Sequence, residues 1–194
     1  MRHYLQSFNI LSNEEIDVFE SKLICRTIKK GDYFIKEGSV SKEVAFVESG
    51  LFRSFYSSSS EKEITYCFTF SNSFVSAYSS FLTQTQTVEN IQALTDIELL
   101  TISRDEILKL EQSSVTWLRF FKFIAEQEYI KIEQRIFLLQ KESAEKRYED
   151  LLKNQSSYSK LIPLNYLASY LGISYRHLSR IRKPLSNDTN VPSK

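Results

Sequence analysis

The chain has 194 residues, 42% of them hydrophobic and 25% charged, with a formal net charge of +1. That length excludes a stapled mini-protein and fits one large domain or two small ones, and the composition is that of an ordinary soluble protein. No stretch approaches the roughly 20 apolar residues of a membrane span, and the N-terminal MRHYLQSFNILSNEE lacks the apolar core of a signal peptide.

Charge is unevenly placed. Residues 1–142 carry 16 Lys/Arg against 20 Asp/Glu, whereas residues 143–194 carry 9 against 4. A basic C-terminal segment on an acidic body suits a binder of phosphate backbones. Cys25 and Cys67 stand alone in apolar runs, outside any paired motif, and are read as buried thiols of a cytoplasmic protein.

Taken in chain order, the first expected helix starts at Ser12. Ser12-Asn13-Glu14-Glu15 fits a capping box, Leu11 and Ile16 fit a hydrophobic staple, and Phe19 and Leu23 continue one face. From Leu23 to Ser103 the pattern changes to short β-rich runs: Leu23–Ile28, Tyr33–Lys36, Glu43–Glu48, Leu51–Tyr56, Ile64–Phe70, Thr87–Ala93 and Ile97–Ile102. Gly31, Gly38 and Gly50 fall between them, where turns require positive φ. This spacing predicts an all-β barrel or sandwich. Ser103-Arg104-Asp105-Glu106 reads as a second capping box, opening a short helix through Ile107 and Leu110.

A long helix is predicted from about Ser114 to Gln140, free of Gly and Pro, a rod of around 40 Å at about 1.5 Å per residue. It is apolar on more sides than one buried face needs. The series Leu118, Phe121, Ala125, Glu128, Ile132, Arg135, Leu139 has spacing suited to a partner helix, interrupted by Glu128 and Arg135. A dimer seam and a core helix inside a monomer are the two readings. Ser143 is expected to start another helix, with Ala144, Tyr148, Leu151 and Leu152 on one face, followed by a polar loop over Asn154–Ser159.

Leu164–Lys183 has the offsets of two tightly packed helices. Pro163 suits the first position of a helix, and Leu164, Leu167, Ala168 and Leu171 form one apolar stripe. Gly172 stands where the first helix must stop, and Ser174 is a good N-cap for the second, with Ile173 and Leu178 as its staple. Leu178 and Ile181 face the core. The other face shows Tyr175, Arg176, Ser179, Arg180 and Lys183, flanked by His177 and Arg182. These side chains can donate to guanine edges and phosphates, as a recognition helix in a major groove must. The competing reading is a helical hairpin with a solvated basic face that contacts another protein.

These residues resemble the Crp/Fnr family of transcription regulators. Lys29-Lys30-Gly31-Asp32, Lys36-Glu37-Gly38 and Phe46-Val47-Glu48-Ser49-Gly50 look like that family's β-roll turns, in its order, and Tyr166–Lys183 is similar to its DNA-binding signature. The resemblance implies an α+β chain: a cyclic-nucleotide-binding-like β-roll (a double-stranded β-helix) over 1–113, a dimerisation helix over 114–142 and a helix-turn-helix domain over 143–194. It implies a cytoplasmic homodimer on near-palindromic double-stranded DNA, with RNA polymerase as a candidate partner. The DNA-binding residues it places are Ser174, Tyr175, Arg176, His177, Ser179, Arg180 and Lys183. The main base readers fall on Tyr175, Arg176 and Arg180, where the family's usual Arg-Glu pair is replaced by Tyr175-Arg176.

Two departures stand out. The phosphate cassette of the family's cyclic-nucleotide members begins Gly-Glu and ends Arg, a small hydroxyl residue, Ala. Here those positions read Ser76-Ala77 and Thr87-Val88-Glu89, and no Lys or Arg occurs from Ser71 to Ile102. Tight binding of cyclic AMP is therefore not expected, because a buried anion without a partner costs several kcal/mol. Ser76, Ala77, Tyr78, Thr87 and Val88 would line a pocket that is empty or holds an unknown effector. The second departure is the tail after Pro184, too short and polar for the family's β-hairpin wing and read as frayed. No cofactor or metal is expected: two cysteines cannot hold an iron–sulfur cluster, and His3 and His177 are poorly placed as haem ligands. No clustered titratable groups point to an enzyme.

Overall fold

The computed structural model describes residues 1–185, apart from the side chains of residues 154–159 and 183–185. Two short helices open the chain, α1 (Arg2–Gln6) and α2 (Asn13–Ser21). The expected capping box at Ser12 is complete: its hydroxyl accepts from the Glu15 amide, and the Glu15 carboxylate accepts from the Ser12 amide. Sequence periodicity missed α1, which is too short to show a repeat. It is held by burial of Leu5 and by the Tyr4 ring against Phe46 and Phe74.

The seven β-rich runs become strands β1 (Ile24–Ile28), β2 (Tyr33–Ile35), β3 (Glu43–Ser49), β4 (Leu51–Ser57), β5 (Glu63–Phe70), β7 (Glu89–Ala93) and β8 (Ile97–Ser103). Two further short elements lie between β5 and β7, strand β6 (Ser73–Val75) and helix α3 (Tyr78–Thr83). The strands form two four-stranded antiparallel sheets, ordered β1-β8-β3-β6 and β2-β7-β4-β5. Alternating residues of both sheets meet in one core: Ala45, Val47, Val75 and Leu99 from the first, Phe52, Ile91 and Ala93 from the second. Cys25 departs from expectation. It is exposed rather than buried, because β1 is an edge strand that shows most of its length to solvent; Cys67 is half-buried.

Helix α4 (Arg104–Ser113) follows, with the Ser103 hydroxyl accepting from the Glu106 amide. The reciprocal half of that capping box does not form, because the Glu106 carboxylate pairs with Lys109 and Lys22 instead. Helix α5 (Val115–Lys141) is the expected rod. Trp117 and Phe120 at its start are buried against Phe19 of α2. Beyond that, part of the series expected to face a partner is engaged within the chain. Phe121 packs into the N-terminal core, Arg135 turns toward its own chain, and Leu139 lies against Gly172. Leu118, Tyr129, Ile132 and Ile136 stand exposed, Tyr129 at 66% and Ile132 at 60%.

Helix α6 (Ala144–Ser159) corrects another expectation, since its backbone runs helically through the residues read as a polar loop. Polar residues suit a loop and an outer helix face equally, and here α6 needs only its Ala144, Tyr148, Leu151 face buried. The chain ends in α7 (Leu164–Tyr170) and α8 (Tyr175–Leu185), with Pro163 as the N-cap of α7 and not its first helical residue. The tail and any wing lie outside the described residues.

Candidate functional site

The α7–α8 unit is built by local rules that the residues announce. Leu171 ends α7, and Gly172 follows at φ +68°. The Ile173 amide then donates to the Ala168 carbonyl at 3.0 Å, and the Gly172 amide to the Ser169 carbonyl at 3.1 Å. This pair of bonds is a Schellman motif, which needs a residue free to adopt the left-handed conformation. Two residues on, the Ser174 hydroxyl accepts from the His177 amide at 3.1 Å and opens α8. Leu167, Ala168, Leu171 and Leu178 are buried together with Tyr148 and Leu151 of α6, so the inner faces of three helices close one small core.

That packing fixes which side of α8 meets solvent. Ser174, Tyr175, Arg176, His177, Arg180 and Arg182 are exposed and Ser179 is half-exposed, while Leu178 has no exposure at all. The α8 backbone continues through Lys183, whose side chain lies outside the described ones. His177 Nε2 sits 3.5 Å from Glu145 of α6. The sequence-derived candidates with described side chains are therefore turned to solvent and carry a basic face, with no acidic residue in the α8 sequence to neutralise it.

Sequence reasoning missed how this unit is held to the sheets. Arg53 of β4 is a charged side chain that is only 1% exposed. Its guanidinium carbon lies 4.0 Å from the centre of the Phe55 ring and 3.6 Å from that of Tyr166 on α7. Its Nε donates to Thr65 Oγ1 at 2.8 Å and its Nη1 to Glu63 at 2.7 Å. Beside it, the Thr65 amide donates to Ser169 Oγ at 2.9 Å, and that hydroxyl donates to the Glu63 carbonyl at 3.3 Å. Strand β5 is the free edge of its sheet, and α7 satisfies part of that edge. On the other flank, Arg135 of α5 donates to the Tyr170 carbonyl at 2.7 Å and covers the Tyr170 ring. A cation between two aromatic residues in a β run, Phe52-Arg53-Ser54-Phe55, was the available signal.

The five candidate pocket residues differ in exposure. Ala77 and Thr87 are buried, and Ser76 Oγ is engaged with Ser41 Oγ and the Glu43 carbonyl. Tyr78 is exposed and Val88 is 74% exposed. What lies nearby is Glu89, which on β7 alternates inward with Ile91 and Ala93. The Tyr66 hydroxyl donates to its carboxylate. Burial pushes the Glu89 carboxyl up to about 7 from an ordinary value near 4.5. A proton that the folded state keeps and the unfolded chain releases stabilises the fold below about pH 4.5, and that contribution is lost as pH rises through 7. Compared across that window, Glu89→Gln should keep stability that the parent loses, about 2 kcal/mol after allowance for partial solvent access. Urea melts of both proteins at pH 4.5 and 8 check this; parallel pH profiles would contradict it.

Among the described residues, no group of three or more His, Cys, Asp or Glu could hold a metal ion, and no helix is long and apolar enough to cross a membrane. Comparison with known proteins agrees with the architecture. No curated protein sequence matches the chain. The sequence family of cyclic nucleotide-binding domains matches residues 25–114. FixK2 from Bradyrhizobium japonicum superimposes with a TM-score of 0.74 at 15% identity, over 89% of each chain. A regulator from Eubacterium rectale assigned to the Crp/Fnr family gives a TM-score of 0.72 at 18% identity, over 99% of this chain and 91% of that one. The catabolite activator protein of Thermus thermophilus gives 0.59 at 22% identity, over 98% and 90%. Residues 25–114 thus match the cyclic nucleotide-binding domain family, and the chain as a whole has the fold of these solved regulators.

Proposed function

We propose that this chain is a transcription regulator of Crp/Fnr type, not an enzyme, that binds near-palindromic double-stranded DNA as a homodimer. The carrying observation is the outer face of α8. It is basic and exposed on a helix whose Leu178 is fully buried, and it follows a tight turn from α7. Such a helix can enter a major groove while α7 crosses the backbone. Ser174 and His177 lie at its start, suited to phosphates, and Tyr175, Arg176, Ser179, Arg180 and Lys183 face the bases or their flanking phosphates. The boundaries that go with this reading are 1–113 for the sensor, 114–142 for the rod and 143–194 for the DNA-binding part.

The exposed column Leu118, Tyr129, Ile132, Ile136 supports pairing of two α5 rods. An apolar stripe of this kind over several turns is costly in water and is covered by a matching stripe in a coiled-coil-like seam. Two such chains present two copies of α8, which suits an operator with two half-sites about one helical turn apart.

The roll interior supports a sensor that does not bind cyclic AMP tightly. Glu89 and Tyr66 are hydrogen-bonded to each other there, and among the described residues no Lys, Arg or His pairs with Glu89 to receive a phosphate. Selection of bound sites from random DNA tests the main reading. A recovered inverted repeat with salt-sensitive binding supports it, and capture of no sequence above background sinks it. Arg180→Ala should weaken binding by about 1–3 kcal/mol and relax sequence preference at one position of each half-site; an equal loss on all sequences would make Arg180 a phosphate contact. Micromolar binding of cyclic AMP by calorimetry would overturn the reading of the sensor.

A further inference from the structure

Three neighbouring strands bring an unusual set of side chains to the open end of the roll. Tyr56 of β4 stands directly opposite Glu89 of β7 in the ladder, and Tyr66 of β5 donates its hydroxyl to the Glu89 carboxylate. The Tyr56 and Tyr66 rings are 6.2 Å apart and tilted by 37°, so they form an open angle and not a closed stack. Tyr56 is exposed and Glu89 half-buried, which leaves the group reachable from solvent. Among the described residues no lysine, arginine or histidine pairs with Glu89, and burial is the sole cause of its raised carboxyl.

A part-buried carboxylate beside two tyrosines lacks one thing, a positive charge. Ionised carboxylates away from water are stable when a cation partners them. Tyrosine faces attract the same species, within about 6 Å of the ring centre. An anion at this place meets a like charge and, among the described residues, finds no donor beyond the tyrosine hydroxyl.

We propose that the Tyr56–Tyr66–Glu89 corner is a binding site for a small organic cation, a primary ammonium carrying an apolar group, with Glu89 as its counter-ion. The ammonium donates to the Glu89 carboxylate and to the Tyr66 hydroxyl oxygen, and the apolar part lies on the Tyr56 ring. Binding exchanges a proton or water on Glu89 for the ligand's charge. The inference rests on the reading that this sensor does not take a cyclic phosphate.

Titration calorimetry on the full chain at pH 8 tests it, with benzylamine in its ammonium form as the probe and benzyl alcohol as its neutral counterpart. Saturable binding of benzylamine is expected, weaker by about tenfold or more for benzyl alcohol and for Glu89→Gln. Tyr66→Phe, which keeps the ring, should weaken it several-fold and guards against misfolding of the first variant; thermal melts confirm that each is folded. No saturable binding of benzylamine, or equal affinity in a folded Glu89→Gln protein, overturns the proposal. A parallel titration with cyclic AMP separates the two failures. Micromolar cyclic AMP binding sinks the reading of the sensor, while absence of both ligands sinks the ammonium site alone.

Discussion

Arg53→Ala should destabilise the protein by about 3–5 kcal/mol, the range for truncating a large, fully buried side chain. The loss has three parts. The space between the Phe55 and Tyr166 rings empties, the cation–π contacts at 4.0 and 3.6 Å vanish, and Thr65 Oγ1 loses its donor. A stranded charge is not among them, because Glu63 is half exposed and returns to water once its partner is gone. For that reason Arg53→Met, which refills the volume without the charge, should cost less than half as much. Urea denaturation of the three proteins measures both. A loss under about 1 kcal/mol for Arg53→Ala would show that the rings close over the gap. Tyr166 belongs to α7, so the same variant should also loosen α7 and α8 from the sheets and, under the proposed function, lower DNA affinity, where a distant core truncation of equal cost would not.

Gly50→Ala should cost about 2–5 kcal/mol, adding a left-handed backbone penalty of roughly 1–2 kcal/mol to an overpacking term of about 1–3 kcal/mol. Gly50 joins β3 to β4 at φ +102°. A Cβ there would lie 2.5 Å from the Asp96 carbonyl oxygen, 2.6 Å from Ile97 Cδ1 and 2.9 Å from Thr95 Oγ1. The nearest of these is backbone and cannot swing away. Gly31→Ala provides the control: it shares the positive φ, but a Cβ there has open space around it, so it should lose the backbone part alone. Equal losses at the two positions in thermal melts would contradict the close approach at Gly50.

Much of this molecule is written in local patterns. The capping box at Ser12, the N-caps at Ser103 and Ser174 and the stop at Gly172 each depend on a few adjacent residues, and each appears where its residues place it. The seven strand runs show through their β-rich composition and the turn residues between them. The basic face of α8 follows from helical periodicity once Leu178 and Ile181 are taken as the inner side. Short elements were harder. Strand β6 and helices α1 and α3 are three to six residues long, too brief to show a period, and hold their shape through contacts with distant residues.

The remaining features come from residues far apart in the chain. No local pattern says that Arg53 lies between rings 2 and 113 positions away, that Ser169 satisfies the edge of β5, or that Arg135 caps Tyr170. Helix α5 is the clearest case. Its apolar residues were visible, but which column faces outward was set by the α7 turn and the N-terminal core claiming Leu139, Arg135 and Phe121. Glu89 is similar. Its sign was legible as a mismatch with a phosphate site, whereas its raised carboxyl and its tyrosine partner arise because β4, β5 and β7 meet at one end of the roll. Sequence thus set the capped helix ends, the seven strand runs and the face of α8, since caps, turns and periodicity act over a few residues. Tertiary structure decided burial, charge environment and the free side of each helix, because those depend on which distant surfaces arrive there.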